Sequence, residues 1–177
     1  KSVVKIGPDG TETTVATGLG NPQDLALDAQ GNLYIADAGN NTIVKVTTNG
    51  TKSTFATGLN GPAGLAFDAT GNLFVSSTGK HDAHKIAPDG TKSNFVTAGL
   101  NSPGGIAFDA TGNLLVADTG SNSILSVDRN GNVTTKVRAG LNAPSDVSVD
   151  GLGNLLVAEP GMNSVLKITP QGTKNPV

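Results

Sequence analysis

The sequence consists largely of a unit of about 40 residues that occurs four times. The tripeptide Gly-Asn-Leu marks one position of each unit, and a proline marks another. The markers are Gly31, Gly71, Gly112 and Gly153 for the tripeptide, and Pro22, Pro62, Pro103 and Pro144 for the proline. Because so short a unit cannot bury its own apolar face, successive units must stack on one another to form a core.

Within each unit the apolar runs are short, and Gly, Asn, Asp and Pro bound them. Such runs predict strands separated by turns, and none is long enough for a helix. In the first full unit we place strands a, b, c and d at Leu25–Leu27, Leu33–Ala36, Ile43–Val46 and Ser53–Thr57. Strands a and b are apolar on both faces, so they should be covered on both sides. The pattern predicts an all-β fold, a β-propeller of four-stranded antiparallel blades.

Three phrases of the repeat resemble the NHL-repeat β-propeller family, and the resemblance extends over nearly the whole chain. The phrases are Pro-Gln-Asp-Leu-Ala-Leu-Asp, Gly-Asn-Leu-Tyr-Ile-Ala-Asp and Gly-Asn-Asn-Thr-Ile-Val-Lys-Val. The resemblance implies a binding platform in most members, protein or RNA partners in some, and a metal on the axis in a few propeller lyases and hydrolases. The blade equivalents in this chain are residues 21–59, 61–100, 102–141 and 143–168.

Counting the expected strands leaves the last blade one strand short. Residues 1–20 hold a c strand at Val3–Ile6 and a d strand at Thr13–Thr17, and the last unit ends after its c strand. We therefore expect the N-terminal segment 11–17 to complete the last blade, because this pairs an open edge. One chain could close as a four-bladed monomer. Four blades diverge widely around the axis and need bulky side chains to fill the space between them, whereas the inner residues of this chain are small. We therefore expect a homodimer in which two chains form one eight-bladed ring, because smaller angles between blades leave fewer voids.

Composition excludes several functions. The absence of Cys removes disulfides and thiolate metal sites, and 12 basic against 14 acidic residues give no basic face for nucleic acid. No apolar stretch approaches the roughly 20 residues of a membrane span. We expect neither nucleic acid nor a membrane as a partner. Few basic residues, no Cys and abundant Thr, Asn and Gly fit an extracellular or periplasmic protein, and equally a designed sequence.

Both histidines lie in one loop, at the b-to-c turn of the second blade. Residues His81, Asp82 and His84 could supply half of a zinc or other transition-metal site, since catalytic zinc takes about three protein ligands. The alternative is sequence drift in a tolerant surface loop.

Asp24 and Asp146 stand where the other two blades have Gly64 and Gly105. These four positions precede strand a, the strand nearest the axis, so we expect them to line the axial mouth. Two carboxylates with backbone carbonyls could bind calcium, which takes six to eight oxygen ligands. The alternative is that each carboxylate caps a local turn.

Three blades end strand b with an acid, at Asp37, Asp118 and Glu159, whereas the second blade has Ser77. An acid repeated in three blades favours a structural cap, in which the carboxylate accepts backbone amides of the Gly-Asn loop that follows, over a unique site. We expect a non-catalytic repeat scaffold that binds an unidentified protein or small molecule at the axial mouth and has no cofactor. The alternative is a metal-dependent propeller lyase or hydrolase.

Overall fold

The structure is a computed structural model that describes residues 1–177. Turn residues at short intervals divide the chain into strands of three to six residues, with two short 3-10 turns at Thr119–Ser121 and Pro160–Met162. The strands are β1 Val3–Ile6, β2 Glu12–Ala16, β3 Pro22–Leu27, β4 Leu33–Asp37, β5 Thr42–Val46, β6 Lys52–Ala56, β7 Pro62–Phe67, β8 Leu73–Ser77, β9 Asp82–Ile86, β10 Lys92–Val96, β11 Pro103–Phe108, β12 Leu114–Asp118, β13 Ser123–Val127, β14 Val133–Val137, β15 Asp146–Val149, β16 Leu155–Glu159, β17 Ser164–Ile168 and β18 Lys174–Pro176.

These strands form four antiparallel four-stranded sheets, each with the order a-b-c-d predicted from the repeat. Blade 1 is β3–β6, blade 2 is β7–β10, blade 3 is β11–β14 and blade 4 is β15–β18. The fold is a four-bladed β-propeller, which confirms the predicted fold class. Strands β1 and β2 form a separate two-stranded hairpin before blade 1, in the positions of a c and a d strand.

Blade 4 is complete without help from the N-terminus. Its fourth strand is Lys174–Pro176, which pairs with β17 through Ile168 and Lys174. The prediction that segment 11–17 completes this blade is therefore wrong, because β2 pairs with β1 instead. The error came from ending the last unit at its c strand. Because blade 4 has no vacant strand position, exchange of a strand between two chains no longer supports the expected homodimer.

Apolar clusters join each blade to the next. The cluster between blades 1 and 2 contains Tyr34 and Leu65, and its equivalent between blades 2 and 3 contains Phe74 and Ile106. Phe74 also stacks edge-to-face on Phe108, with ring centroids 5.1 Å apart. A third cluster joins blades 3 and 4, and a fourth joins the N-terminal hairpin to blade 1. The core is thus a series of inter-blade layers, as expected for repeats that bury their faces only by stacking.

The inner strand of blade 1 is more exposed to solvent than the inner strands of the other blades. Leu25 is 47% exposed, whereas its equivalents Leu65, Ile106 and Val147 in the other blades are 2–5% exposed. Leu27, two residues further along, is 63% exposed. The preceding hairpin covers only the outer half of blade 1, because it has c and d strands but no a and b strands.

The turns between strands a and b explain the repeated Asp and Gly-Asn. In blade 4, Asp150 Oδ1 accepts the amides of Leu152 and Asn154, and Gly153 has a φ of +78°. This conformation favours glycine. The Asn154 side chain also donates to Asp150, and these bonds lower the pKa of the Asp150 carboxyl to about 2.

The structure contains no helix with the length and hydrophobicity needed to span a membrane.

Candidate ligand site at the axial mouth

The inner strands of all four blades begin around one cavity of about 470 Å³. Its walls carry two carboxylates, four hydroxyls and one side-chain amide, and no basic residue. The lining residues are Gln23, Asp24, Ala63, Thr78, Ser102, Gly104, Gly105, Thr119, Ser145 and Asp146. The repeat explains the convergence, because equivalent positions of successive blades lie at equivalent distances from the axis.

Asp24 lies at this mouth and also links blade 1 to blade 2. Its Oδ2 accepts the backbone amide of Leu65 at 2.7 Å, and its Oδ1 accepts the amide of Leu25 at 2.7 Å. Partial burial nevertheless raises the pKa of the Asp24 carboxyl, because loss of solvation opposes the charged form more than these two bonds favour it.

Asp146 occupies the equivalent position in blade 4. Its Oδ1 accepts the amide of Val147 at 2.8 Å, and no backbone amide of a following blade reaches its other oxygen. Shielding of the carboxylate by the surrounding protein raises the pKa of Asp146, and the negative charge of Asp24 raises it further. The two predicted carboxylates therefore belong to one site and repel each other.

Gly64 and Gly105 have a different role from the one we predicted. A Cβ on Gly64 would lie 2.7 Å from the carbonyl oxygen of Gly104 and 2.8 Å from the Cα of Gly105. Gly64 therefore lets the inner strands of blades 2 and 3 approach closely, whereas a Cβ on Gly105 would collide with Asp146 of blade 4. Gly105 lines the cavity but Gly64 does not.

The residues at the mouth do not fit a resident metal ion. No group of three His, Cys, Asp or Glu side chains lies together anywhere in the chain. Three of the four carboxylate oxygens at the mouth already accept backbone amides, so few charged oxygens are left for a hard cation such as calcium. The axial metal implied for some propeller enzymes thus lacks its protein ligands here.

The structure also separates the predicted zinc ligands. Nδ1 of His81 accepts the backbone amide of Ser102 in blade 3 at 2.7 Å. Asp82 and His84 remain together, with 3.3 Å between the Asp82 Oδ1 and the His84 Nε2. The prediction of a metal site from all three residues is wrong, because His81 turns away to bridge two blades.

The neighbourhood of His84 is nevertheless unusual. In the other blades an acid at the end of strand b faces a hydroxyl at the start of strand c, as Asp118 faces Ser123. Blade 2 exchanges the two groups, so that Ser77 faces Asp82. The Ser77 Oγ and His84 Nδ1 are buried without hydrogen-bond partners, and the buried Asp82 Oδ1 makes only its 3.3 Å contact with the His84 Nε2, which is not a hydrogen bond. This exchange is visible in the sequence when the repeats are aligned, but its effect on burial is not.

The acids at the end of strand b accept backbone amides in the three acidic blades, but these amides belong to the loop before strand a and not to the following Gly-Asn loop, where we expected them. Asp37 accepts the amides of Gly20 and Asn21, Asp118 accepts that of Asn101, and Glu159 accepts that of Asn142. These acids are buried and structural.

Sequence reasoning missed the hydroxyls of the axial cavity. Thr78 and Thr119 follow strand b in blades 2 and 3, and Ser102 and Ser145 lie beside the repeated proline. The Thr119 hydroxyl donates to the carbonyl of Pro144 at 2.8 Å. Thr78 and Thr119 share one repeat phase, which was an available signal, whereas Ser102 precedes its proline and Ser145 follows its own.

A second cavity, of about 610 Å³, lies between blades 1 and 2 near the a-to-b turns. Its aromatic wall contains Tyr34, Phe55 and Phe67, and blades 2 and 3 repeat this arrangement with Phe74, Phe95 and Phe108. A feature that recurs between blades belongs to their packing, so we do not treat it as the ligand site.

Solved structures with the same fold are longer than this chain. A streptogramin B lyase matches with a TM-score of 0.84 and 18% identity over 99% of this chain, and a putative gluconolactonase matches with 0.82 and 21% over 98%. A chain of a nidogen–laminin complex matches with 0.82 and 25% over 92%. This chain spans 61% of the lyase chain, 68% of the gluconolactonase chain and 65% of the third.

Among curated proteins no significant match was found. The family model for the NHL repeat matches residues 19–46 and 100–125, that is, parts of the first and third full units. The chain therefore contains two segments that match the NHL repeat, within a four-bladed β-propeller.

Proposed function

We propose that the chain is a non-catalytic binding module that holds a positively charged group at its axial mouth. The observation that carries this proposal is the pairing of Asp24 and Asp146 in a cavity with no Lys, Arg or His in its walls. Burial raises the pKa of both carboxyls, and the charge of Asp24 further raises that of Asp146, so a cation bound between them would favour their ionised forms.

The chemistry of the walls narrows the ligand class. Four hydroxyls and the carbonyls near them can accept hydrogen bonds from an ammonium or guanidinium group, which donates three or five. A cavity of about 470 Å³ holds a small molecule or one side chain of a protein partner. We therefore expect an organic cation in preference to a bare metal ion, because only two charged ligand side chains converge on the mouth and no third acid or imidazole joins them.

The comparison with solved structures is compatible with a binding role. The nidogen–laminin match shows a similar fold in a chain that forms a protein complex. The similarity to a lyase and a putative lactonase, at 18% and 21% identity, extends to the fold alone. Neither His81 nor His84 lines the axial cavity, so the mouth has no imidazole for general acid–base work.

Calorimetric titration with L-arginine amide, and separately with calcium chloride, tests the proposal. We expect the wild type to bind arginine amide and the Asp24→Asn/Asp146→Asn double variant to lose binding. Glu12→Gln is the matched control, since it removes one carboxylate from an exposed part of the hairpin. Binding of neither cation, or equal loss in the control, would contradict the proposal. Binding of calcium alone would contradict the proposal of an organic cation and would indicate a metal site at the mouth.

A further inference from the structure

We propose that Ser76 is a positioning residue for the axial mouth, because its hydroxyl fixes the inner strands of blades 2 and 3 where Asp24 contacts blade 2. The inference deepens the function proposed above and rests on it in one respect, that Asp24 belongs to the cation site. Ser76 does not line the cavity, so it acts through its neighbours and not by touching a ligand.

Ser76 departs from the pattern of the repeat. It lies on β8, the b strand of blade 2, at a position where the other three blades have alanine. These alanines are Ala36, Ala117 and Ala158. Ser76 is fully buried, with 0% exposure. A buried hydroxyl is costly unless it is hydrogen-bonded, so the partners of Ser76 indicate its role.

Both partners of Ser76 lie on the strands nearest the axis. Its Oγ accepts the backbone amide of Gly64 on β7 at 2.8 Å and donates to the carbonyl of Gly104 on β11 at 2.6 Å. Between blades 3 and 4 the equivalent amide and carbonyl bond directly, from Gly105 to Ser145 at 2.9 Å. The Ser76 hydroxyl is therefore inserted into an inter-blade hydrogen bond, and the spacing of blades 2 and 3 at the axis depends on it.

The same stretch of β7 holds the Asp24 carboxylate. The residue after Gly64 is Leu65, whose amide donates to the Asp24 Oδ2 at 2.7 Å. Consecutive amides of β7 thus bond Ser76 and Asp24, so a shift of Gly64 would move the Leu65 amide away from the carboxylate. On the other side of Ser76, Gly104 is itself part of the cavity wall. A site whose groups are fixed before binding spends less free energy on ordering them, so Ser76 should favour binding at the mouth.

The variant Ser76→Ala tests this role. Three blades have alanine at this position, so the variant should keep its fold, which circular dichroism verifies. We expect the pKa of the Asp24 carboxyl, measured by NMR titration, to rise above its wild-type value, because the Leu65 amide favours the charged form. Arginine amide should bind about twofold to tenfold more weakly, since the freed carboxylate must be ordered on binding.

Ser93→Ala is the matched control, because it removes a hydroxyl from the exposed strand β10 of the same blade. There the Ser93 Oγ donates to the Lys85 carbonyl at 3.3 Å, and we expect neither the Asp24 pKa nor the affinity to change. An Asp24 pKa that does not rise in Ser76→Ala, or an equal shift in Ser93→Ala, would overturn the proposal. So would an unchanged affinity of Ser76→Ala for arginine amide when the wild type binds it.

The two readouts separate this proposal from the function on which it rests. If the wild type fails to bind arginine amide, the proposed function fails. The Asp24 pKa in Ser76→Ala then still decides the role of Ser76, since a rise supports it and no rise overturns it.

Discussion

His81 bridges blades 2 and 3 by accepting the backbone amide of Ser102 on its Nδ1, at 2.7 Å. Asn41 and Asn122 make the same bridge in their blades, where the side-chain oxygen accepts the amides of Gly61 and Ala143. His81 and the two asparagines all have φ between 51° and 56°. The histidine is therefore a substitute for asparagine at a left-handed position, and its imidazole is a structural acceptor.

This equivalence predicts a specific pattern of stability. His81→Asn should leave the free energy of unfolding within about 0.5 kcal/mol of the wild type, because asparagine accepts the same bond and tolerates the left-handed conformation. His81→Ala should lower it by about 1–2 kcal/mol, since it loses the bond and keeps the strain. Urea denaturation measures both. An alanine variant as stable as the wild type would show that the bridge contributes nothing.

The sequence predicted most of the fold and about half of the site. The repeat phase located the inner strands and brought Asp24 and Asp146 to one mouth, because equivalent positions in a propeller converge on the axis. It did not reveal β18, since Lys174–Pro176 lacks the apolar pattern of a strand and forms by pairing with β17. Nor did it show that His81 faces Ser102, because the direction of a loop side chain depends on a contact with the next blade.

The exchange of Ser77 and Asp82 predicts a coupling between these two positions. Ser77→Asp alone places two carboxylates opposite each other, and Asp82→Ser alone leaves blade 2 with no acid at either position. The double variant restores the arrangement of blade 3, in which the acid accepts an amide from the preceding loop. We expect the free energy of unfolding of the double variant to be about 1–3 kcal/mol higher than the summed effects of the two single variants would give, because a buried carboxylate regains a partner.

A double-mutant cycle followed by urea denaturation measures this coupling. The conservative exchange Asp118→Glu in blade 3 serves as a control for changes of side-chain length at the same repeat position. Additive effects of the two substitutions in blade 2 would refute the idea that the pair acts as one unit.

Burial of His84 predicts a loss of stability in mild acid. Desolvation lowers the pKa of the His84 imidazole, and the neighbouring Asp82 only partly opposes this. The unfolded chain, with a histidine pKa of about 6.5, then binds more protons than the folded chain below that pH. Stability should therefore be complete above about pH 6.5 and fall as the pH decreases towards the lowered pKa of the folded state.

Thermal unfolding at a series of pH values tests this, with His84→Leu as the reference because Leu125 and Leu166 occupy the equivalent positions. The variant should lose the pH dependence that begins below about pH 6.5. Turn carboxylates such as Asp150, with a pKa of about 2, contribute stability that is lost only at lower pH, as the carboxyl protonates. If stability fell with the same slope in both proteins just below about pH 6.5, His84 would have no part in the loss.

The close approach of Gly64 to blade 3 predicts that even one methyl group is harmful there. A Cβ at residue 64 would lie 2.7 Å from the Gly104 carbonyl oxygen and 2.8 Å from the Ile106 amide nitrogen, and these backbone atoms cannot move without shifting the inner strand. Gly64→Ala should lower the free energy of unfolding by about 1–3 kcal/mol, as overpacking of a tight interior does. Gly151→Ala is the control, because a Cβ there meets nothing within 4 Å. Urea denaturation of both variants measures the difference; if Gly64→Ala were as stable as Gly151→Ala, the inner strands of blades 2 and 3 would have to be farther apart than the structure places them.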